Sequence, residues 1–394
     1  MNILFITPRF PYPPLKGDQL LPYYRLKYLS SRHKITLLSF YESKKELVGL
    51  DQVQRYCHAV HLIKLPKWRS LINVGCGLFF SRLPLQVLYY SSSEFRSKLQ
   101  HLTSVNNFDL VHAYMLRSAQ YLAEIKTPKI LELIDSMQLN LERRMATEKL
   151  PLRLLIKEEL RRIVSYERKI ASLADKIIVV SAKDQALLPF ANVVVIPLGT
   201  DTDITLLPDA KSKVPAIIFS GNMGYAPNIQ AVLWFVHSCW PLIRAKFKNV
   251  NFIIAGSNPP RAIKNLSIGD KNIIVTGLVK SMPGIIQTAR VAIAPMQSGS
   301  GMQSKILEAM ACALPVVTTT LGLGTIKAIT NEEIFVANDA AVFSENVLNL
   351  LQNADLANTA GKNARDFVER QHSWEHMIAQ LELVYKDIKL RALL

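Results

Sequence analysis

Residues 298–318 read SGSGMQSKILEAMACALPVVT, and this stretch predicts a glycine-containing loop, a helix and then a buried strand. The helix is expected to end near Leu314, because Pro315 cannot continue it and an apolar, β-branched run follows. A loop, a helix and a strand in this order are typical of a parallel α/β sheet.

The same stretch carries two charged residues with a possible chemical role. Lys305 and Glu308 lie three residues apart, which places them on one face of the predicted helix. Backbone N–H groups at a helix start attract phosphate, and a lysine there adds positive charge. A carboxylate one turn later can accept hydrogen bonds from sugar hydroxyls. A diphosphate and a ribose together indicate a nucleotide-sugar; the alternative is that both residues are ordinary solvated helix positions.

Length and composition favour a globular protein of two domains. The chain has 394 residues, of which 49% are hydrophobic and 20% charged. Its four cysteines form no Cys-x-x-Cys pair, which argues against a zinc site or a disulfide scaffold and favours a reducing, cytoplasmic compartment. We expect no secretory signal and no membrane-spanning helix, because residues 309–326 contain proline and glycine and residues 70–81 are too short.

The charge of the chain is uneven. Of the net charge of +16, the first 200 residues carry +13, which implies an anionic partner such as a phosphate-bearing acceptor, an acidic lipid surface or nucleic acid. Residues 143–169 hold nine Lys or Arg, four Glu and a cluster of leucines, and residues 71–80 form a second apolar stretch. These segments predict association with an anionic membrane surface. The alternative is that both pack on the core of their domain.

Strands alternate with helices in both halves, so the predicted fold class is α/β with two doubly wound, Rossmann-like domains. The predicted domains are residues 1–195 and residues 196–373, with a final helix at 374–394 that packs back on the first. A polar linker is expected near Asp201–Asp209, and a single long helix near 141–174. The predicted strands are 2–8, 34–40, 59–65, 110–113, 130–133, 177–180, 193–199, 215–221, 251–256, 272–276, 291–295, 315–319 and 334–336.

Loops at the carboxyl ends of these strands are expected to line a cleft, since ligands of such sheets bind there. The first loop, PRFPYPPLKGDQ at 8–19, offers acceptor-side candidates: Arg9, Lys16, Gly17 and Asp18. His112 follows at the end of a later strand. The loop SGNMGYAPN at 220–228 is a plausible anion-contacting turn in which Asn228 is expected to cap the next helix. The alternatives are ordinary surface turns and a structural histidine.

The order of these motifs resembles the retaining GT-B glycosyltransferases of family four (group 1), and especially exopolysaccharide sugar transferases. The resemblance rests on ordered motifs that cover most of the chain. In order they are DLVHAY (109–114), ADKIIVVSAKD (174–184), VIPLGTDTD (195–203), FSGNMGYAPN (219–228), NFIIAGSNP (251–259) and the stretch 291–319, which matches the pattern Gly-x-Gly-x-x-x-Lys-x-x-Glu-Ala.

The resemblance implies two Rossmann-like domains facing across a cleft, with a UDP- or GDP-sugar donor bound mainly by the second, and neither cofactor nor metal. It matches Glu308 to the family carboxylate expected on the ribose hydroxyls, and Gly301 to the glycine whose backbone approaches the donor. The catalytic candidates are Lys305, Glu308 and His112. In such enzymes the leaving phosphate oxygen deprotonates the acceptor hydroxyl, and no protein nucleophile is expected. The donor-binding candidates are Gly221, Asn222, Leu278, Ser300, Gly301, Met302, Gln303, Ser304, Lys305 and Glu308.

The chain departs from the family pattern at positions that would contact the diphosphate. Ser300 stands where the family has a glutamate eight positions before Glu308, and Asn222 and Pro227 stand where an Arg and a Lys are common. Lys305 is the obvious substitute cation, with help from Lys16 or Arg9 across the cleft.

The expected activity is transfer of a hexosyl group, with retention, to a glycan or a diphosphate-lipid acceptor in cell-surface or exopolysaccharide synthesis. The expected location is the cytoplasm or the inner face of the membrane, with no nucleic-acid partner. Two alternatives stay open. One is an epimerase or phosphorylase on the same scaffold, although no lysine-bearing cofactor motif is recognisable. The other is a non-catalytic basic protein, which explains the charge but not residues 298–318.

Overall fold

The computed structural model describes residues 1–14, 17–134, 136–207, 214–299 and 302–391. The chain forms two compact units. The first comprises Met1–Pro197 with Met377–Leu394, and the second comprises Leu198–His376. Each unit is an α/β domain with its own parallel sheet.

The described residues of the first unit form seven strands and eight helices before the chain leaves it. The strands are β1 (Asn2–Thr7), β2 (Lys34–Tyr41), β3 (Ala59–Lys64), β4 (Leu110–Tyr114), β5 (Lys129–Glu132), β6 (Lys176–Val179) and β7 (Val193–Val195). The helices are α1 (Gly17–Leu29), α2 (Leu50–Gln54), α3 (Lys67–Phe80), α4 (Leu85–Tyr89), α5 (Ser93–Val105), α6 (Met137–Thr147), α7 (Leu152–Ala171) and α8 (Ala182–Leu187), with 3-10 turns at Lys44–Gly49 and Leu116–Glu124.

The second unit has six strands among its described residues. They are β8 (Ala216–Ser220), β9 (Asn251–Ala255), β10 (Ile273–Gly277), β11 (Val291–Ala294), β12 (Val316–Thr318) and β13 (Phe335–Val336). Its helices are α9 (Ala226–Trp234), α10 (Trp240–Lys246), α11 (Arg261–Lys264), α12 (Leu266–Gly269), α13 (Met282–Ile286), α14 (Ser304–Ala311), α15 (Thr320–Leu323), α16 (Ala340–Gln352) and α17 (Ala354–His372), with a π-turn at Phe235–Cys239. The last helix, α18 (Trp374–Arg391), begins in the second unit and ends in the first.

Both sheets are parallel and doubly wound. The strand order is β3-β2-β1-β4-β5-β6-β7 in the first sheet and β10-β9-β8-β11-β12-β13 in the second. The winding reverses between β1 and β4 in the first sheet, and between β8 and β11 in the second. Ligands of such sheets bind at this switch point, outside the carboxyl ends of the strands.

The apolar strands are buried because helices cover both faces of each sheet. All five residues of β4 and all five of β8 are buried, and Phe5 of β1 lies opposite Leu37 of β2. The fold prediction of two doubly wound α/β domains is confirmed.

Two local predictions are wrong. The single helix at 141–174 is two helices, α6 and α7, with Pro151 at the start of the second, because proline lacks the N–H that a helix interior needs. The segment 201–207 packs against the second unit: Arg365 donates to the carbonyl of Thr202, and Leu207 N–H donates to Gln287. Residues 208 and 209 of the predicted linker lie outside the described residues.

Candidate functional site

The site is built at the switch point of the second sheet, where the loops after β8, β9 and β11 meet. Gly256 after β9 lies so close to Gly221 after β8 that a Cβ on Gly256 would be 1.8 Å from the Gly221 carbonyl oxygen. A side chain at Gly256 is therefore excluded. This contact fixes the course of the Gly221 loop beside α14.

Lys305 reaches this loop from the first turn of α14. Its Nζ donates to Asn228 Oδ1 at 2.6 Å and to Gln303 Oε1 at 3.2 Å, and it lies 5.0 Å from the centre of the Phe219 ring. Burial lowers the pKa of Lys305 to about 8, and the Glu308 carboxylate opposes that shift. Near neutral pH the site therefore holds a partly solvated ammonium group, and its acceptors among the described residues are the neutral side chains of Asn228, Gln303 and Met296.

Asn228 orients the lysine, and this role was missed in the sequence. The sequence predicts it as a helix cap, but the N-cap of α9 is Tyr225 and Asn228 lies within the helix. Its buried amide donates to the Asn222 carbonyl at 2.8 Å while its oxygen accepts from Lys305. The loop after β8 and the helix after β11 are thereby joined by one side chain.

Glu308 follows one turn after Lys305 and is half-buried. Burial raises the pKa of its carboxyl group, while the Lys305 ammonium and a hydrogen bond with Ser304 oppose the rise. The Gln303 side chain makes no capping hydrogen bond to the first turn of α14. The start of this helix thus presents backbone N–H groups, an ammonium and a carboxylate side by side.

The other predicted donor residues are distributed around this centre. Asn222 accepts from Gly224 N–H and so shapes the loop after β8, and Met302 is buried just before α14. Leu278, which follows β10, is largely exposed. Ser300 and Gly301 lie outside the described residues.

In the first unit, the loop after β1 lies at the switch point of its own sheet. Arg9 donates to Asp18 Oδ2 at 2.7 Å, and Gly17 is the exposed first residue of α1. The structure thus brings Arg9 and Asp18 together. Lys16 lies outside the described residues.

His112 does not lie at a strand end as the sequence predicts. It is the third of the five residues of β4 and is fully buried. Its Nε2 lies 3.1 Å from Glu132 Oε2, and its Nδ1 is 2.6 Å from the hydroxyl of Tyr385 in α18. A side chain without exposed surface has no route to a substrate, so the geometry gives His112 a place in the core.

The charge partner of Glu132 is Arg25 of α1, whose guanidinium donates to Glu132 Oε1 at 2.8 Å. Burial alone would raise the pKa of Glu132, but Arg25 and His112 hold it at about 2. Burial lowers the pKa of His112 and so favours its neutral imidazole, while the Glu132 carboxylate opposes this shift. Arg25 and Glu132 were also missed in the sequence, because their pairing joins positions far apart in the chain.

Among the described residues, no group of three His, Cys, Asp or Glu side chains could hold a metal ion. Metal independence stays a prediction. Within the same residues, no helix is both long and apolar enough to cross a bilayer.

Comparisons with known proteins agree with this geometry. Residues 214–353, which contain the whole switch-point site, match the family model described as glycosyl transferases group 1. A curated Klebsiella pneumoniae protein, an uncharacterised 44.6 kDa protein in the cps region, is 24% identical and matches 96% of this chain and 98% of its own length.

Solved structures share the fold at low sequence identity. A sucrose-phosphate synthase from Thermosynechococcus elongatus superposes with a TM-score of 0.72 at 16% identity, covering 98% of this chain and 99% of its own. HepE from Anabaena, solved with UDP, gives 0.67 at 14% identity, covering 98% and 100%. The lipopolysaccharide glycosyltransferase WaaG gives 0.64 at 16% identity, covering 97% and 99%. The chain has the GT-B fold, and residues 214–353 of its second unit are similar to the group 1 glycosyl transferases.

Proposed function

We propose that this protein is a nucleotide-sugar-dependent glycosyltransferase that transfers a hexosyl group with retention of anomeric configuration. The observation that carries the proposal is the Lys305 ammonium at the switch point. It is positioned by Asn228 and lies beside the Gly221 backbone and the start of α14. A largely desolvated cation at the start of a helix suits a diphosphate.

Each residue has a distinct task in this reaction. The donor diphosphate lies against the start of α14, where Lys305 offsets the negative charge that grows as the bond between the sugar C1 and the phosphate oxygen breaks. Glu308 accepts hydrogen bonds from the ribose hydroxyls. The acceptor hydroxyl forms the new bond to C1 on the same face, and its proton passes to the departing diphosphate oxygen. The chain contributes position and charge.

The substrate classes are proposed from the relatives and from charge. HepE has been solved with UDP and with UDP-glucose, which supports a uridine nucleotide as the first donor to test. The Klebsiella relative lies in a cps region, which supports a role in surface polysaccharide synthesis. A growing glycan, free or on a diphosphate lipid at the cytoplasmic membrane face, is the proposed acceptor, and no metal is proposed to take part.

Release of the nucleoside diphosphate tests this function. The purified chain is incubated with a panel of UDP- and GDP-sugars, with and without glycan and lipid-diphosphate acceptors, and the products are identified by mass spectrometry and proton NMR. We expect release of UDP or GDP with one donor and a product of unchanged anomeric configuration. An isomerised sugar nucleotide without release of diphosphate would instead identify an epimerase, and an inverted product would refute retention.

A further inference from the structure

The helix α3 presents an apolar face to solvent. Positions that lie three or four residues apart along one side are exposed, which is the spacing of one face of a helix. Trp68 is 60% exposed, Phe79 is 80% exposed and Phe80 is 90% exposed, and the exposed Arg69 lies at the side of the face formed by Cys76 and Phe80. The members of this outward face are Trp68, Leu71, Ile72, Gly75, Cys76, Phe79 and Phe80.

The buried positions of α3, which pack on the domain, are small. Ser70 is fully buried, and Asn73 donates to the carbonyl of Ser91 at 3.0 Å. Gly77 is pressed against Leu88 so closely that a Cβ would lie 2.3 Å from its methyl carbon. Surface helices normally bury their apolar side, whereas α3 exposes it to solvent. An exposed apolar face of this kind marks a site that contacts another apolar surface.

Cations surround this face. A groove of about 510 Å³ runs along one side of α3 and contains Lys64, Arg69 and Arg96, with Glu94 as the acidic residue in its lining. Trp68 and Ile72 also line the groove, so the apolar face and the basic groove share an edge. Arg82 follows the other end of the helix.

The middle of α7 contacts the end of the same helix. Arg162 of α7 donates to the carbonyls of Gly77 and Leu78 in the last turn of α3. Leu154 and Leu155, which are both exposed, precede Arg162 on α7 by about 11 Å along the helix axis. Leu152 at the start of α7 is also exposed, whereas Ile156, Leu160 and Ile163 pack in the core of the domain.

We propose that the outward face of α3 is a membrane-docking surface. Its aromatic and aliphatic side chains insert among the acyl chains of an anionic leaflet, and Lys64, Arg69 and Arg82 bind the lipid head groups. The inference rests on the proposed function only for the idea that a lipid-linked acceptor lies in the same leaflet; the docking itself is independent of transfer.

The charge around the outward face of α3 favours a membrane over a second copy of the chain as its partner. A homodimer through this face would bring two basic rims together, in a domain whose first 200 residues already carry +13. An anionic leaflet attracts the rim and accepts the rings at the same time.

Flotation of the full chain with vesicles tests the proposal. We expect binding to phosphatidylglycerol-containing vesicles, and weaker binding to phosphatidylcholine alone or at high salt. The double variant Phe79→Ser, Phe80→Ser removes only exposed rings and should reduce partitioning at least tenfold, about the free energy of burying one such ring. Ile268→Ser in the second unit, also 80% exposed, is the matched control and should float like the wild type.

Cys76 gives a second, local readout. It is exposed in the centre of the face, whereas Cys57 is half-buried and Cys239 and Cys312 are buried, so an environment-sensitive fluorophore can be placed there in a Cys57→Ser background. We expect its emission to shift to the blue on binding. The double variant Arg69→Ser, Arg82→Ser should bind anionic vesicles more weakly than the wild type does, and its binding to phosphatidylcholine vesicles should be unchanged.

Three outcomes overturn the proposal: no flotation at low salt, equal flotation of the Phe79→Ser, Phe80→Ser variant and the control, or flotation with a water-like fluorophore at Cys76. A concentration-dependent dimer that the Phe79→Ser, Phe80→Ser variant abolishes, without vesicle binding, would assign the face to a second copy. Binding of UDP by the same variants is measured in parallel. If neither the wild type nor any variant binds UDP, that result counts against the proposed function and leaves the docking result unaffected.

Discussion

Replacing Lys305 is the most direct test of the candidate site. Lys305→Met keeps the length of the side chain and removes its charge, so the charge-assisted contact with the donor diphosphate is lost. Such a contact contributes about 1.5–3 kcal/mol, which corresponds to roughly 10- to 150-fold weaker binding of UDP or GDP. Isothermal titration calorimetry measures it, with Lys264→Met, an exposed lysine of the same unit, as the matched control.

The pH dependence of diphosphate binding is an independent test of the role of Lys305. Because burial lowers the pKa of Lys305 to about 8 in the free protein, the ammonium loses its proton above that pH. A bound diphosphate favours the charged form, so diphosphate affinity should fall by up to about tenfold per pH unit above 8. The Lys305→Met variant should show no such fall from this group.

The stability of the variant separates a binding role from a structural one. The pKa of Lys305 in the folded chain, about 8, lies below the value of 10.5 of an unperturbed lysine. The unfolded chain therefore binds the extra proton between these values, and folded-state stability should rise with pH across this window in the wild type but not in Lys305→Met. Below pH 8 the variant should be at least as stable as the wild type, since it buries no charge. Unchanged diphosphate affinity in a folded Lys305→Met variant would refute the site.

The ribose contact, the absence of a metal requirement and the buried ion pair each give a further prediction. Glu308→Gln should weaken UDP binding by about 1.5–3 kcal/mol and abolish the preference for UDP over its 2′,3′-dideoxy analogue; a preference that persists contradicts the ribose role. Transferase activity should survive EDTA, and restoration by Mg²⁺ of activity lost to EDTA would disprove metal independence. Glu132→Gln should lower the free energy of unfolding in urea by about 3–5 kcal/mol, because Arg25 keeps a buried charge without its partner, whereas Glu124→Gln at the partly exposed Arg96 pair should change it by no more than about 1 kcal/mol.

The strands were predictable because their signal is local. Short apolar, β-branched runs such as KITLLSF are buried on both faces of a parallel sheet, and all thirteen observed strands overlap predicted ones. Alternation with helices then favours a doubly wound fold. The error at 141–174 was also avoidable from a local signal, because Pro151 marks the boundary between the two helices.

The contacts of the candidate site were less predictable, because they join distant positions. Lys305 was predicted from its place in a helix start, but its partner Asn228 lies 77 residues away and its role depends on how two loops meet. The contact between His112 and Tyr385 spans 273 residues. A lone histidine in a strand gives no sign of such a partner.

For the helix α3, the sequence shows an apolar face but not whether that face points to the core or to solvent. Its apolar positions have helical spacing, which is compatible with a face that docks on a membrane and equally with one that packs on a core. The outward direction becomes visible only when Ser70, Asn73 and Gly77 are found on the inner side.

The path of α18 has a consequence for synthesis on the ribosome. The second unit is continuous in sequence, but the first unit is complete only when residues 377–391 have been made. At 5–20 residues per second, the remainder of the chain after Pro197 takes roughly 10–40 s to emerge. During that time the ion pair of Arg25 with Glu132, and the histidine beside it, lack the cover of Tyr385. The amino-terminal half of this protein is therefore the half that finishes folding last, and nascent chains stalled before Tyr385 should be sensitive to protease within residues 1–197.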